Sequence, residues 1–402
     1  LNMSKTFLWL TGLDYVSGAT GQLIYTRGLV DGLRELGCRV DVIGLSPDGA
    51  FVREHGAAGR DTFFRAPTRR RIASLLSSLY SHAYVLQSDE LAVEAMGRLD
   101  QDYSLIVIDY LAMGWLLDTK FFEVARRDAP KSSIAYLSHN HEASVRRSVA
   151  ASVRRPGAKK LAMMWDAIKA ARLERRFERS VDVVTANSAD DAAKFRASGD
   201  SQNVVVVSPG YAGPRSPTRT ITAEMPRRVC MMGSLEWVAK SDSFLRFAAA
   251  AATVLPSHGI EVHVAGQIPD GVRAALSKYN SFIKVHGFVQ SEAEFLCDCR
   301  LGLIHDDVGG GFKHRLLLYV FNRVPVVAIR SQVTELPAIA SECFYLGNDA
   351  SELVRCIVDS IDRIDELNAK ARIAYDVCDG EYDWRVRAAE LVSVAATRQS
   401  SR

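Results

Sequence analysis

A chain of 402 residues is too long for one typical hydrophobic core, so two domains are expected. Apolar residues at 48% and charged residues at 24% fit an ordinary folded protein, and a formal net charge of +3 gives no global case for nucleic acid. Seven scattered cysteines, with Cys297 and Cys299 the one close pair, suit neither a zinc ribbon nor a redox CxxC, so reduced thiols and a cytoplasmic setting are expected. Met3 opens a segment leading straight into a strand, so no signal peptide is expected. No apolar run reaches the roughly 18 residues of a membrane span.

Thr6–Leu10 reads as the first strand. It feeds Thr11-Gly12 and the loop Ser17-Gly18-Ala19-Thr20-Gly21, then a helix carrying Leu29, Leu33 and Leu36 and closed by Gly37. Val40–Gly44 is the second strand. This is a βαβ unit with glycines at the carboxyl end of strand one, where open α/β sheets place ligands. The spacing of Gly12 and Gly18 is not the dinucleotide fingerprint, and no acidic residue ends strand two, so a nicotinamide cofactor is not expected.

Phe63–Arg65 reads as a short third strand. Arg69-Arg70-Arg71 ahead of Ile72, Leu75, Leu76 and Leu79 predicts a basic, amphipathic helix start, either a solvated surface helix or a contact with an anionic membrane. Leu105–Asp109 and Ser133–Leu137 are buried strands. The second ends in Ser138-His139-Asn140-His141-Glu142, a position that points His139 and Glu142 at a ligand cleft. The pair could organise an acceptor hydroxyl or a phosphate, and a purely structural histidine stays open. No zinc set is evident around His139 and His141, so no metal is expected. Arg146 to Lys160 has no acid, which makes it an interaction candidate. Farther on, Glu174 and Glu178 are spaced to pair with cations one turn away on a solvated helix face. Asp182–Ala186 is a strand, Asn187–Asp190 a capped helix start, and Val204–Val207 the last strand of the first domain. The prolines and glycines that follow read as a linker.

In the second half, Arg228–Met232 starts a new sheet and ends in Gly233-Ser234-Leu235-Glu236-Trp237, with Lys240 before a helix from Asp242. Glu261–Gly266 and Ile283–Val289 are further strands. Leu301–Ile304, then Gly309-Gly310-Gly311-Phe312-Lys313-His314-Arg315, then Val324–Ile329 reads as strand, glycine turn, helix, strand. Glycines admit a ligand close to the backbone, and the helix start with Lys313 and Arg315 suits a phosphate. Cys343–Leu346 is a last short strand. The expected fold is α/β, with two doubly wound Rossmann-like domains facing an interdomain cleft. The boundaries are 1–210, a linker at 211–226, a second domain at 227–378, and a C-terminal helix at 379–402 that packs back on the first domain.

In order and spacing, these elements resemble a GT-B glycosyltransferase of family 4 (group 1), over nearly the whole chain. The resemblance is carried by Gly18–Gly21, Ser138–Glu142, Thr185–Ser188, Gly233–Trp237, Val285–Val289 and Gly309 through Val327. It implies transfer of a sugar, with retention, from a nucleotide-diphosphate sugar held by the second domain to a glycan, lipid-linked or other cell-envelope acceptor on the first. It implies His139 beside the reacting sugar and Lys240 on the donor diphosphate. Gly311, Phe312 and Lys313 would meet the same diphosphate, and His286–Val289, with His286 and Phe288, would line the base. Gly18, Thr20 and Gly21 would approach donor phosphates or acceptor. No cofactor or obligatory metal is implied, and no nucleic acid partner. The membrane contacts to consider are Arg69–Arg71 and Arg146–Lys160, on the inner face. Two departures stand out: the family's glutamate pair falls on Gly310 and Leu318, and its arginine after Gly233 is Ser234. They leave open a binding or scaffold subunit with a decayed donor site. A sugar-nucleotide epimerase of the same architecture is a further alternative.

Overall fold

A computed structural model of the chain describes residues 5–16, 20–153, 157–200, 203–307, 312–333 and 336–397. The chain divides into two compact units, Leu1–Gly210 with Asp383–Arg402, and Tyr211–Tyr382.

The first unit is built on β1 (Thr6–Thr11), β2 (Arg39–Ser46), β3 (Phe51–Glu54), β4 (Arg60–Arg65), β5 (Leu105–Asp109), β6 (Ser133–Leu137), β7 (Val183–Ala186) and β8 (Val204–Val206). Their order in the sheet is β3-β4-β2-β1-β5-β6-β7-β8. All pairs are parallel except β3 with β4. The central strands are apolar throughout because helices cover both faces. Alternation sorts their side chains: Leu8, Leu10, Ile106 and Ile108 join the core on one face, and Phe7, Trp9, Leu105 and Val107 the core on the other. The winding reverses between β1 and β5, which makes their carboxyl ends the switch point of this sheet.

The helix Trp384–Thr397 returns to this unit and packs on the helix Gly21–Glu35. Trp384 is seated over Gly28, where a Cβ would lie 2.2 Å from the indole. Lys5 Nζ donates to Val392 O across the same seam at 3.3 Å.

The second unit contains β9 (Arg228–Met232), β10 (Glu261–Ala265), β11 (Ile283–Gly287), β12 (Leu301–Ile304), β13 (Val326–Ile329) and β14 (Tyr345–Gly347). The order is β11-β10-β9-β12-β13-β14, all parallel, with the switch point between β9 and β12.

Four expectations are corrected. β3 was not anticipated, because Phe51–Glu54 is an exposed antiparallel edge without a buried apolar run. Residues 71–76 form a 3-10 helix rather than a regular α-helix, and Ile72, Leu75 and Leu76 face solvent while Leu79 is buried. The 211–226 segment is no free linker: Ile221 is buried in the second unit's core, and Ser216 N donates to Phe321 O at 2.8 Å. Glu174 and Glu178 do not pair with surface cations. The helix Ala158–Ser180 turns both inward, where Glu174 accepts from the N–H groups of Glu142 and Ala143, at 2.9 and 2.8 Å, and Glu178 accepts from Ser198 Oγ at 2.7 Å.

Candidate functional site

The first unit's switch point is filled by a carboxylate. Asp109, at the end of β5, is fully buried and accepts three hydrogen bonds. The donors are Trp9 Nε1 from β1 at 3.0 Å, Thr26 Oγ1 at 2.7 Å, and His139 Nε2 just past β6 at 2.5 Å. The His139 ring meets Tyr25 edge-on at 5.2 Å and Tyr110 at 5.7 Å. Its carbonyl accepts from Asn187 Nδ2 at 2.6 Å. His139 is thus at the expected strand end, but it is only 3% exposed and its orientation is set by Asp109. Tyr110, which follows Asp109, holds a left-handed backbone at φ +78°, a conformation tyrosine seldom adopts.

Glu142 departs from its expected role beside His139. It is buried and bound to Arg146 Nε at 2.9 Å. Arg146 also donates to Asp166 at 2.8 Å and lies 4.2 Å over the Tyr80 ring. Arg146 is therefore an internal strut, which removes it from the basic interaction candidates. Thr20 occupies the N-cap position of the helix Gly21–Glu35. Gly18 lies outside the described residues, as do Arg154 and Arg155.

The second unit's switch point has the opposite character. β9 ends at Gly233, whose φ of +117° suits glycine. Gly266, past β10, is pressed so close that a Cβ on it would fall 2.4 Å from Gly233 O. Gly266 N in turn donates to Gly287 O at the end of β11 at 2.7 Å. Three strand ends are thereby drawn into one rim. The next helix is Val238–Ala251; it begins before the expected Asp242 and so carries Lys240 in its first turn. Past β12 come His305 and Asp306, both buried.

Arg315, in the first turn of the helix His314–Phe321, forms an ion pair with Asp306 and donates to Met232 O at 3.2 Å. A Cβ on Gly233 would sit 3.3 Å from both Arg315 Cδ and Lys240 Nζ, so these groups converge on the turn. Lys240, Lys313 and Arg315 all act on the one carboxylate. Burial alone would raise the Asp306 pKa; Arg315, then His305 and the two lysines, outweigh it and hold the carboxyl well below the usual range. Lys240 moves the other way. Burial first, then Arg315, push its ammonium down to about 7, with Asp306 opposing. His305 is pushed down to about 3, mainly by burial, and is neutral at pH 7. Its Nε2 is buried without a partner among the described residues.

Other expected donor residues fall into two groups. Ser234 Oγ accepts from Glu236 N at 3.1 Å, and Phe288 is 84% exposed past the Gly287 turn. His286 is engaged sideways: its Nε2 meets His263 Nδ1 at 2.9 Å, and His263 Nε2 meets Glu261 Oε2 at 3.1 Å. With Glu261 accepting, His263 Nδ1 accepts from His286, which leaves His286 Nδ1 as an acceptor. Phe312 was expected to contribute a backbone amide, and its side chain has a separate place. Its ring lies 6.0 Å from Tyr382 in the apolar cluster that also buries Leu318, so the ring packs into the core. Gly309, Gly310 and Gly311 lie outside the described residues. Asp109 and Asp306 were not singled out from sequence. The available signal was a carboxylate ending or directly following an apolar strand.

Residues 20–210 match the family model described as a glycosyl transferase 4-like domain. No curated protein matches the sequence. Among solved structures, the α,α-trehalose 6-phosphate synthase of Burkholderia multivorans is similar, with a TM-score of 0.65 at 13% identity, covering 99% of this chain and 100% of that one. HepE of Anabaena, in complex with UDP and glucose, gives 0.59 at 14% identity, with 98% and 100% covered. A TarM variant of S. aureus, in complex with fondaparinux, α-GlcNAc-glycerol and UDP, gives 0.62 at 8% identity, with 98% and 100% covered. Identities this low speak for the fold alone, and the fold is GT-B; within it, residues 20–210 are what matches the glycosyl transferase 4-like model.

Proposed function

We propose that this protein is a metal-independent glycosyltransferase that moves a hexosyl group, with retention, from a UDP-sugar to a glycan or lipid-linked acceptor in polysaccharide biosynthesis. The observation that carries the reading is the cation cluster at the second unit's switch point. A nucleoside diphosphate leaves with negative charge, and fixed cations and amides can stabilise it where water is excluded. Arg315 is already held by Asp306 and Met232 O, so it is preorganised. The Lys240 ammonium makes no hydrogen bond or ion pair among the described residues, and a diphosphate would supply the partner that raises its pKa again. In this reading the exposed Phe288 and His286 Nδ1 take the base. On the first unit, the Asp109–His139 pair serves as an oriented acceptor-side group. That HepE and TarM were crystallised with UDP makes uridine the first base to try.

The buried Leu318 favours a second reading, a donor site too decayed to hold a nucleotide, because an apolar side chain cannot bind ribose hydroxyls. Calorimetric titration of the full chain with UDP, GDP and ADP, without added metal, separates the two. Selective UDP binding supports the transferase. No binding to any nucleotide overturns it in favour of a scaffold. Consumption of a UDP-sugar with a changed sugar returned, and no acceptor needed, would identify an epimerase instead.

A further inference from the structure

We infer that the first unit carries a membrane-docking face, made by the 3-10 helix Arg71–Leu76 and the adjoining stripe of the helix Ala158–Ser180, which inserts apolar side chains into an anionic phospholipid surface. It stands apart from the donor reading. Ile72 and Leu76 are 73% and 98% exposed, and Leu75 is exposed beside them. Leu161, Trp165 and Ile168 are exposed too, and their spacing puts them on one stripe of their helix. The two segments are fastened together: Lys169 Nζ donates to Ser74 O at 2.6 Å, and Ser81 N donates to Asp166 at 2.7 Å. These are adjoining apolar groups on a folded unit, of the kind that marks an interaction site rather than scattered exposure.

Charge selects the occupant. No Asp or Glu occurs between Asp61 and Asp89, or between Glu142 and Asp166. The helix Ala158–Ser180 has three carboxylates and spends all of them inward, Asp166 on Arg146 and Ser81, Glu174 and Glu178 as described above. What remains outside is cationic, with Arg70, Arg71, Lys159 and Arg172 exposed around the apolar groups. A basic rim around inserted Leu, Ile and Trp side chains is the complement of an anionic bilayer, with headgroups meeting the rim and acyl chains meeting the apolar groups. The tryptophan belongs at that boundary.

The test is flotation of the full chain, without nucleotide, with vesicles of phosphatidylcholine alone or with added phosphatidylglycerol. Binding at least tenfold stronger to the anionic vesicles is expected, weakening with salt. The double substitution Ile72→Ser with Leu76→Ser reduces it at least tenfold, and both positions are exposed enough to leave the fold intact. Brominated lipid gives a positional readout, since Trp165 and Trp237 are the exposed tryptophans of five. Trp165→Phe removes most of the quenching and Trp237→Phe leaves it. Absence of binding to anionic vesicles overturns the inference, and so does binding untouched by the double substitution. Self-association abolished by that substitution would assign the face to a second copy of the chain instead. None of these outcomes bears on whether UDP binds.

Discussion

The two switch points share a topology and differ in how they treat charge. In the first unit, Asp109 meets three donors, all supplied by side chains of the same unit. In the second, three cations share Asp306, and one of them, Lys240, is held half-buried in spite of its charge. The first arrangement is satisfied from within its own unit and fixes the orientation of His139. The second is incomplete and has room for an anion. Equivalent places in two related sheets thus divide the work, one fixing a histidine and the other leaving positive charge unspent.

The sharpest way to break this comparison is at the closed end. Asp109→Ala leaves the Trp9 and Thr26 donors and His139 buried and unanswered, and a loss of about 4 kcal/mol of stability is expected. Chemical denaturation followed by tryptophan fluorescence measures it; a loss under about 1 kcal/mol would mean that the network is slack. Gly28→Ala tests the other support of that unit. A Cβ there meets the Trp384 ring, so about 1–3 kcal/mol should be lost in the same assay. If stability is unchanged, the returning helix is not held by that seat.

At the open end the expectation reverses. Lys240→Ala removes a half-buried ammonium that makes no hydrogen bond or ion pair among the described residues, so stability should stay within about 0.5 kcal/mol of the parent or rise. UDP affinity should fall at least tenfold, roughly 1.4 kcal/mol, by calorimetry. A large loss of stability with unchanged affinity would exchange the roles assigned to the two regions.

What could be read from the sequence follows the same divide. Buried parallel strands such as Leu105–Asp109 and Leu301–Ile304 are unbroken apolar runs, and glycine turns announce themselves, so the two-unit architecture and the position of Lys240 were legible. Asp109 was not, because its partners Trp9, Thr26 and His139 lie far away in the chain and only the sheet order brings them together. The inward turn of Glu174 was hidden for a related reason. Its spacing to the surrounding arginines satisfies the rule for a surface pair, and nothing local says which side of a helix is covered. The segment 71–76 shows the same limit: its spacing suggested an amphipathic helix, yet it is a 3-10 helix with Ile72, Leu75 and Leu76 pointing out.

The smallest effect expected, and the most specific, is a pH dependence confined to the open site. Lys240 titrates near 7 in the folded protein against an ordinary 10.5. Between those values the unfolded chain holds a proton that the folded one lacks, so this group's contribution to stability rises as pH climbs through that window. Binding has the opposite sign. A diphosphate stabilises the ammonium, so affinity is highest below about pH 7 and falls above it, approaching tenfold per pH unit. Between pH 7.5 and 9 the terminal phosphate is already ionised, its second pKa being about 6, and the lysine is the group left to titrate. Calorimetry of UDP binding at pH 8.5, in two buffers of different ionisation enthalpy, should register uptake of close to one proton. Lys240→Ala should abolish both the uptake and the slope. A flat profile in the parent protein would place the diphosphate away from Lys240 and leave the cation cluster as a device of the fold.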